Sequence, residues 1–240
     1  MERNENRFYP SNGYEQQYAP AESIGRYTAK AFLWMFAGLM VTFGVSLWLL
    51  MSGTIVFVFG NSYIPLVLMV AEVAVVWILA GRIHAMSVGT AKALFFLYAV
   101  LNGVVFSTVF LLYDVVSLVL VFGATALYFG GMAIFGYCTK VDLSRLRNVL
   151  ISGLIFLIAF GLLSMFIPGL QAFERIYCLI GIVVFLAFTA YDTQKIRGFY
   201  QAYQGDGAML KKASIFSALQ LYLDFINIFL YLLRFLGRRK

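Results

Sequence analysis

The sequence predicts an all-α integral membrane protein built as a bundle of seven transmembrane helices. Three observations carry this. Of 240 residues, 62% are hydrophobic and only 12% charged, a balance foreign to a water-soluble globule. The apolar residues gather in runs of about 20, the length that crosses a bilayer core of roughly 30 Å as a helix. Lysine and arginine fall between the runs and form no single patch, so the net charge of +7 reads as membrane topology and not as nucleic-acid binding.

The opening stretch, MERNENRFYPSNGYEQQYAPAES, is polar and lacks the apolar centre of a secretory signal, so residues 1–27 are expected to be a disordered cytoplasmic tail. Residues 28–237 then form one membrane domain, followed by a basic tail at 238–240. The first five apolar runs cover 31–51, 62–81, 93–113, 115–138 and 149–169. The sixth runs from about Tyr177 past Asp192, and the seventh, LQLYLDFINIFLYLLRFLG, spans 219–237. No stretch between them is long enough for a second domain.

With the N-terminus inside, Arg82, Lys92, Lys140, Arg145, Arg147, Lys195, Arg197, Lys211 and Lys212 all fall on the cytoplasmic side, and the outer loops keep only Arg175. That asymmetry obeys the positive-inside rule. Seven spans leave Arg238–Lys240 outside, whereas a six-span chain with a re-entrant final segment would return them to the cytoplasm; the full length of the last run favours seven. Cys138 and Cys178 lie near the ends of different spans on opposite sides, so no bridge between them is expected, and no Cys/His spacing suits a metal.

The last run raises a chemical question, because it carries Asp224 at its middle. Ser217, Gln220, Asp224, Asn227, Tyr231 and Arg234 follow at steps of three or four and therefore share one helix face. Such a face belongs inside the bundle, either as a polar pathway or as a network that fixes helix packing. Asp192, in FLAFTAYDTQKIRG, is a second intramembrane acid. Counted from the turn signal Gly205-Asp206-Gly207 at 1.5 Å per residue, the two acids lie roughly 18 and 25 Å deep. Carboxylates on neighbouring antiparallel helices at such depths can meet. A charge in hydrocarbon is costly and by default functional; two acids in reach share a proton, and the titration belongs to the pair. The same oxygens make Asp192 and Asp224 a candidate site for a hard divalent cation such as calcium.

Three further groups are candidates. Arg82 ends the second span and either snorkels to headgroups or reaches the acids as a guanidinium latch that protonation would loosen. Glu72, at the middle of the same span, is expected to line the cavity that Gln220 and Asn227 also face, or to be a protonated acid in the packing. His84 has no carboxylate at catalytic spacing and reads as interfacial. Gly130, Gly131 and Gly153 are candidates for close helix approach.

Three stretches, AYDTQKI (190–196), YLDFINIF within the last run, and TKVDLSRL (139–146), together resemble the transmembrane Bax inhibitor motif family, including its bacterial YetJ-type calcium-leak branch. The resemblance covers the whole membrane region and excludes the N-terminal tail. It implies a seven-helix bundle with the last helix at its centre and a pH-sensitive calcium leak. It further implies a sensor pair that carries over onto Asp192 and Asp224, and a second-helix arginine latch for which Arg82 is the best match. The surrounding GRIHA lacks the basic cluster of some relatives. No cofactor is implied, calcium being cargo, and the partners are the lipid bilayer and calcium ions.

Two other classes stay open. An intramembrane aspartyl protease also pairs two aspartates, with a tyrosine-aspartate motif on the first helix, but it places a glycine-rich turn before the second acid, and LYLD has none. A membrane interaction protein that regulates other complexes needs no transport at all. Short loops and the lack of an organellar signal point to a bacterial inner membrane.

Overall fold

The computed structural model describes residues 22–60 and 63–238, so residues 1–21 of the tail expected at 1–27 and the last two residues of the basic tail lie outside the described residues. The helices are α1 Ile24–Met51, α2 Ile55–Phe59, α3 Ile64–Arg82, α4 Val88–Leu112, α5 Val115–Cys138, α6 Arg147–Phe166, α7 Glu174–Tyr203 and α8 Gly207–Leu236. Short 3₁₀ turns at Leu143–Leu146 and Pro168–Phe173 precede α6 and α7. Seven of the helices, all but α2, are long and apolar enough to cross a membrane. Among the described residues there is no strand.

Helix starts follow from short polar side chains. Ser23, Ser87, Asp114 and Asp206 each stand just before a helix and accept a backbone N–H from its first turn, which satisfies donors that have no partner within the helix. This moves two boundaries away from where hydropathy alone sets them. α1 begins at Ile24, ahead of the expected apolar edge, because Ser23 caps it and Tyr200 OH anchors the preceding residue through Glu22 O (2.5 Å). α8 begins at Gly207, about three turns before the apolar run at Leu219, because Asp206 accepts from Ala208 N and Met209 N, both at 2.9 Å. Gly205-Asp206-Gly207 is thus the turn the sequence indicated.

α8 is the central helix. Two-thirds (67%) of its membrane window is buried, against 11–44% for the other six. It packs on α7, α1, α5 and α4. Aromatic rings fill those contacts: Phe225 meets Phe122 and Phe129, Phe229 meets Phe106, and Tyr222 meets Phe95 and Tyr98. α3 and α6 are peripheral; α3 packs mainly on α4 and α6 mainly on α7, and Trp77 and Phe166 are each 80% exposed, as side chains facing lipid are.

Lipid gives apolar side chains no reason to leave it, so helices must be joined by close approach and hydrogen bonds. Thr42 Oγ1 donates to Ala99 O (2.8 Å) and lies 2.6 Å from Tyr222 OH, and Ser46 Oγ donates to Gly103 O (2.7 Å), which binds α1 to α4 and α8. The closest approach uses a glycine other than those expected. Gly136 of α5 lies directly against the Ala190 backbone of α7, whereas Gly130 and Gly131 face open space and Gly153 meets only the side chain of Val184.

Lys212 does not lie in a solvated loop. It is 7% exposed and its ammonium donates to His84 O (2.9 Å) and Met86 O (3.2 Å), tying the start of α8 to the α3–α4 connection. At the opposite face, Asp114 N donates to Arg238 O (3.1 Å) and Arg238 N to Ser117 Oγ (3.2 Å). α8 therefore crosses the bundle fully, and the re-entrant alternative does not occur.

Candidate functional site: a buried acid pair below an open vestibule

α7 and α8 form the most extensive helix pair in the bundle, and the tight turn between them makes them antiparallel neighbours. Asp192 is 6% and Asp224 3% exposed. Gln220, one turn before Asp224 on α8, donates from Nε2 to Asp192 Oδ1 at 2.9 Å. Lys195, one turn after Asp192 on α7, places Nζ 3.9 Å from the same oxygen and donates to Gln220 Oε1 at 3.3 Å. Asp192, Gln220 and Lys195 thus close a small polar ring across the two helices.

Asp224 stands deeper. Its Oδ2 is buried without a hydrogen-bond partner, yet its carboxyl is within electrostatic reach of both Asp192 and Lys195. A buried carboxylate oxygen with no donor is unfavourable unless a proton or a cation attends it. The two acids are brought together electrostatically, and what physically touches Asp192 is an amide and an ammonium.

Above the pair lies a cavity of about 950 Å³ lined by Glu72 of α3, Tyr98 and Asn102 of α4, Glu174 of α7, and Asn227 and Arg234 of α8. Its lining runs up to the ends of α4, α6 and α8, so it opens at the face opposite Ser23. Asn227 is three residues from Asp224, a rise of roughly 4.5 Å, so the floor lies one turn above the buried acid. Glu72 lines this cavity, with Oε1 buried and unpartnered. Asn227 lines it also, while Nδ2 donates to its own helix at Leu223 O (2.8 Å). Gln220 does not; it is spent on Asp192. Tyr231, 3.1 Å from Tyr177 OH, faces an adjoining pocket on the α6 side.

The expected latch is not at the pair. Arg82 is exposed at the C-terminal end of α3, and the ion pair at the acids is Lys195–Asp192. The reason is geometric: α3 is peripheral and packs mainly on α4, and its exposed last residue makes no ion pair with either acid. The cation that stands there is Lys195, which the sequence reading counted only as a cytoplasmic charge. Its spacing was the available signal, since Lys195 follows Asp192 by three residues as Gln220 precedes Asp224 by four.

Among the described residues no group of three or more His, Cys, Asp or Glu side chains is arranged to hold a metal ion. Two acids alone offer fewer oxygens than the six to eight that calcium takes. Neither Cys138 nor Cys178 is in a disulfide.

Residues 25–240 match the family described as inhibitor of apoptosis-promoting Bax1. The chain is 37% identical over 223 residues to the inner membrane protein YbhL of Escherichia coli K12, covering 92% of this chain and 95% of that one. It is 36% identical to an uncharacterized protein of Borreliella burgdorferi (90% and 93% covered) and 33% identical to an uncharacterized membrane protein of Streptococcus pyogenes (70% and 72%).

Proposed function

The chain belongs to the Bax inhibitor family, and from that premise we propose that it is a pH-gated calcium leak of a bacterial inner membrane with its N-terminus in the cytoplasm. The observation that carries this is the unpartnered Asp224 Oδ2, buried one turn beneath a wide vestibule whose mostly apolar wall carries Glu72, Glu174 and Asn227. A cation enters the vestibule, where Glu72, Glu174 and the Asn227 amide lower the cost of shedding water. Asp224 and Asp192 then form the narrow step. In the closed form the acids keep a shared proton and the helices stay packed; a change in that proton's occupancy alters the repulsion between two carboxyls and shifts the α7–α8 contact that both stand on. The inner-membrane site and N-inside orientation rest on the lysine and arginine asymmetry and on the similarity to an inner membrane protein.

The test is calcium flux into liposomes that contain only the purified protein, followed from acid to mildly alkaline pH for the parent, Asp192→Asn and Asp224→Asn. A parent flux that varies with pH, and a flat profile in both variants, is the expected result. No flux at any pH overturns the leak, and identical profiles in all three proteins overturn the sensor role.

A further inference from the structure

Lys195 occupies an unusual position for a lysine. Its side chain is 30% exposed while its neighbour Asp192 is 6% exposed, so it lies on the boundary between the buried pair and the face at which α1 begins. It stands three residues nearer that face than Asp192, a step of roughly 4.5 Å along α7. The vestibule approaches the acids from the other side. Lys195 therefore stands on the side of the pair that faces away from the vestibule.

Its ammonium is held by more than its ion pair. It donates to Gln220 Oε1 at 3.3 Å, and it lies over three aromatic rings, Tyr191 (5.8 Å), Phe199 (5.2 Å) and Phe216 (5.6 Å). Ring faces within about 6 Å attract a cation, and they do so most where water is scarce. The other charged groups that act on it are Asp224 from α8 and Arg147 from the start of α6. A carboxylate, an amide oxygen and three rings around one ammonium constitute a cation site already filled by the chain itself.

We propose that Lys195 is a tethered cation that blocks the narrow step: its ammonium holds the place beside Asp192 that a permeating divalent cation must take, and that cation passes only by displacing it. The inference rests on the proposed path through the acid pair. A tethered ammonium competes at a high effective concentration, and its flexible four-carbon stem lets it swing towards the exposed side when displaced. The closed state is then kept shut by competition for Asp192, and no guanidinium from another helix is needed.

Two measurements on the full-length protein separate this inference from the leak itself. One is equilibrium binding of radioactive calcium to purified protein in detergent; the other is flux in liposomes. Lys195→Met keeps the apolar stem among the rings and removes the charge, so calcium binding should tighten, and flux under closed conditions should rise, by about tenfold, the order set by losing one charge-assisted hydrogen bond. Lys195→Arg, which keeps the charge, should stay with the parent in both. Should the methionine variant not yield folded protein, Lys195→Gln carries the same expectation. Unchanged calcium affinity without the charge overturns the block whether or not the liposomes leak, and so does an arginine variant that behaves as the uncharged one. Tighter binding with no flux in any protein overturns the leak and upholds Lys195 as occupant of the cation site.

Discussion

Gln220 Nε2 donates to Asp192 Oδ1 at 2.9 Å across the α7–α8 contact, so the two helices that carry the acids are stitched together at the acid itself. The bond is charge-assisted when Asp192 is ionised. Gln220→Ala leaves a buried carboxyl with Lys195 as its nearest remaining partner. The expected loss is about 1–3 kcal/mol, the usual cost of an unsatisfied buried polar group. Unfolding in detergent followed by circular dichroism reads this, and a midpoint unchanged from the parent would show that the amide does not support the pair.

The glycines give a paired prediction on one helix. A Cβ on Gly136 would collide with the Ala190 backbone two residues before Asp192, whereas a Cβ on Gly131 meets nothing within 4 Å. Gly136→Ala should destabilise by about 1–3 kcal/mol, as overpacking does. Gly131→Ala should be neutral or stabilising by up to about 1 kcal/mol, through helix propensity. Comparing the two thermal midpoints tests the close approach of α5 to α7; equal midpoints would refute it.

Much of this architecture was legible in the sequence, and the gaps have physical causes. Hydropathy gives the seven spans because every crossing must be apolar and helical, and α5 runs from Val115 to Cys138 as its apolar run does. The first three turns of α8 were not legible in hydropathy, because Lys211 and Lys212 interrupt the apolar run, but the Gly205-Asp206-Gly207 turn signal placed the helix start near Ala208, where Asp206 caps it. Asp192, Asp224 and Glu72 announce themselves, since an acid in hydrocarbon is rare. Arg82 and Lys195 were told apart only by packing: both are cations near the end of a span, but Lys195 stands on α7, the helix that carries Asp192 and packs most extensively on α8, whereas α3 packs mainly on α4. Spacing alone cannot tell Gly136 from Gly131 either, because rotation of α5 about its axis is fixed by the partner helix.

Lys212 makes a further test of hidden charge. Its ammonium satisfies His84 O and Met86 O, carbonyls at the frayed end of α3. Lys212→Met keeps the stem and deletes both bonds, so the α3–α4 connection should open locally at a cost of about 1–3 kcal/mol. Hydrogen exchange of peptides spanning residues 83–90 should quicken, while peptides from the middle of α8 stay protected. Unaltered exchange at 83–90 would mean that the lysine merely lies near those carbonyls.

Asp142, outside the spans, supplies a pH dependence with a definite sign. Hydrogen bonds from Ser144, side chain first and backbone second, together with the charge of Arg145, hold its carboxyl below the ordinary aspartate range. A depressed folded-state value means that the ionised form favours folding. The contribution is present above the ordinary aspartate value and is lost as pH falls through the lower folded-state value. The stability difference between the parent and Asp142→Ala should therefore be constant at neutral pH and shrink only in strong acid. A difference that persists unchanged to the lowest pH would show that the cap acts by shape alone.

Arg82 offers the sharpest contrast with Lys195. It is exposed at the end of a helix that packs on α4, and no ion pair joins it to the acids. A guanidinium at that place interacts with headgroups through water-screened charge, worth little compared with a contact inside the bundle. If the closed state depends on a cation beside Asp192, that cation is Lys195, and Arg82→Gln should leave both the size and the pH profile of the calcium flux as they are in the parent. Lys195→Met should alter them. The opposite result, a profile flattened by Arg82→Gln and untouched by Lys195→Met, would require α3 to swing its last turn onto α8 before the path can shut. The geometry of Leu79, fully buried one turn before Arg82, opposes that swing, because extracting it from the core would cost about 1.5–3 kcal/mol of apolar burial if the vacated space filled with water, and lost packing contacts if it filled with lipid.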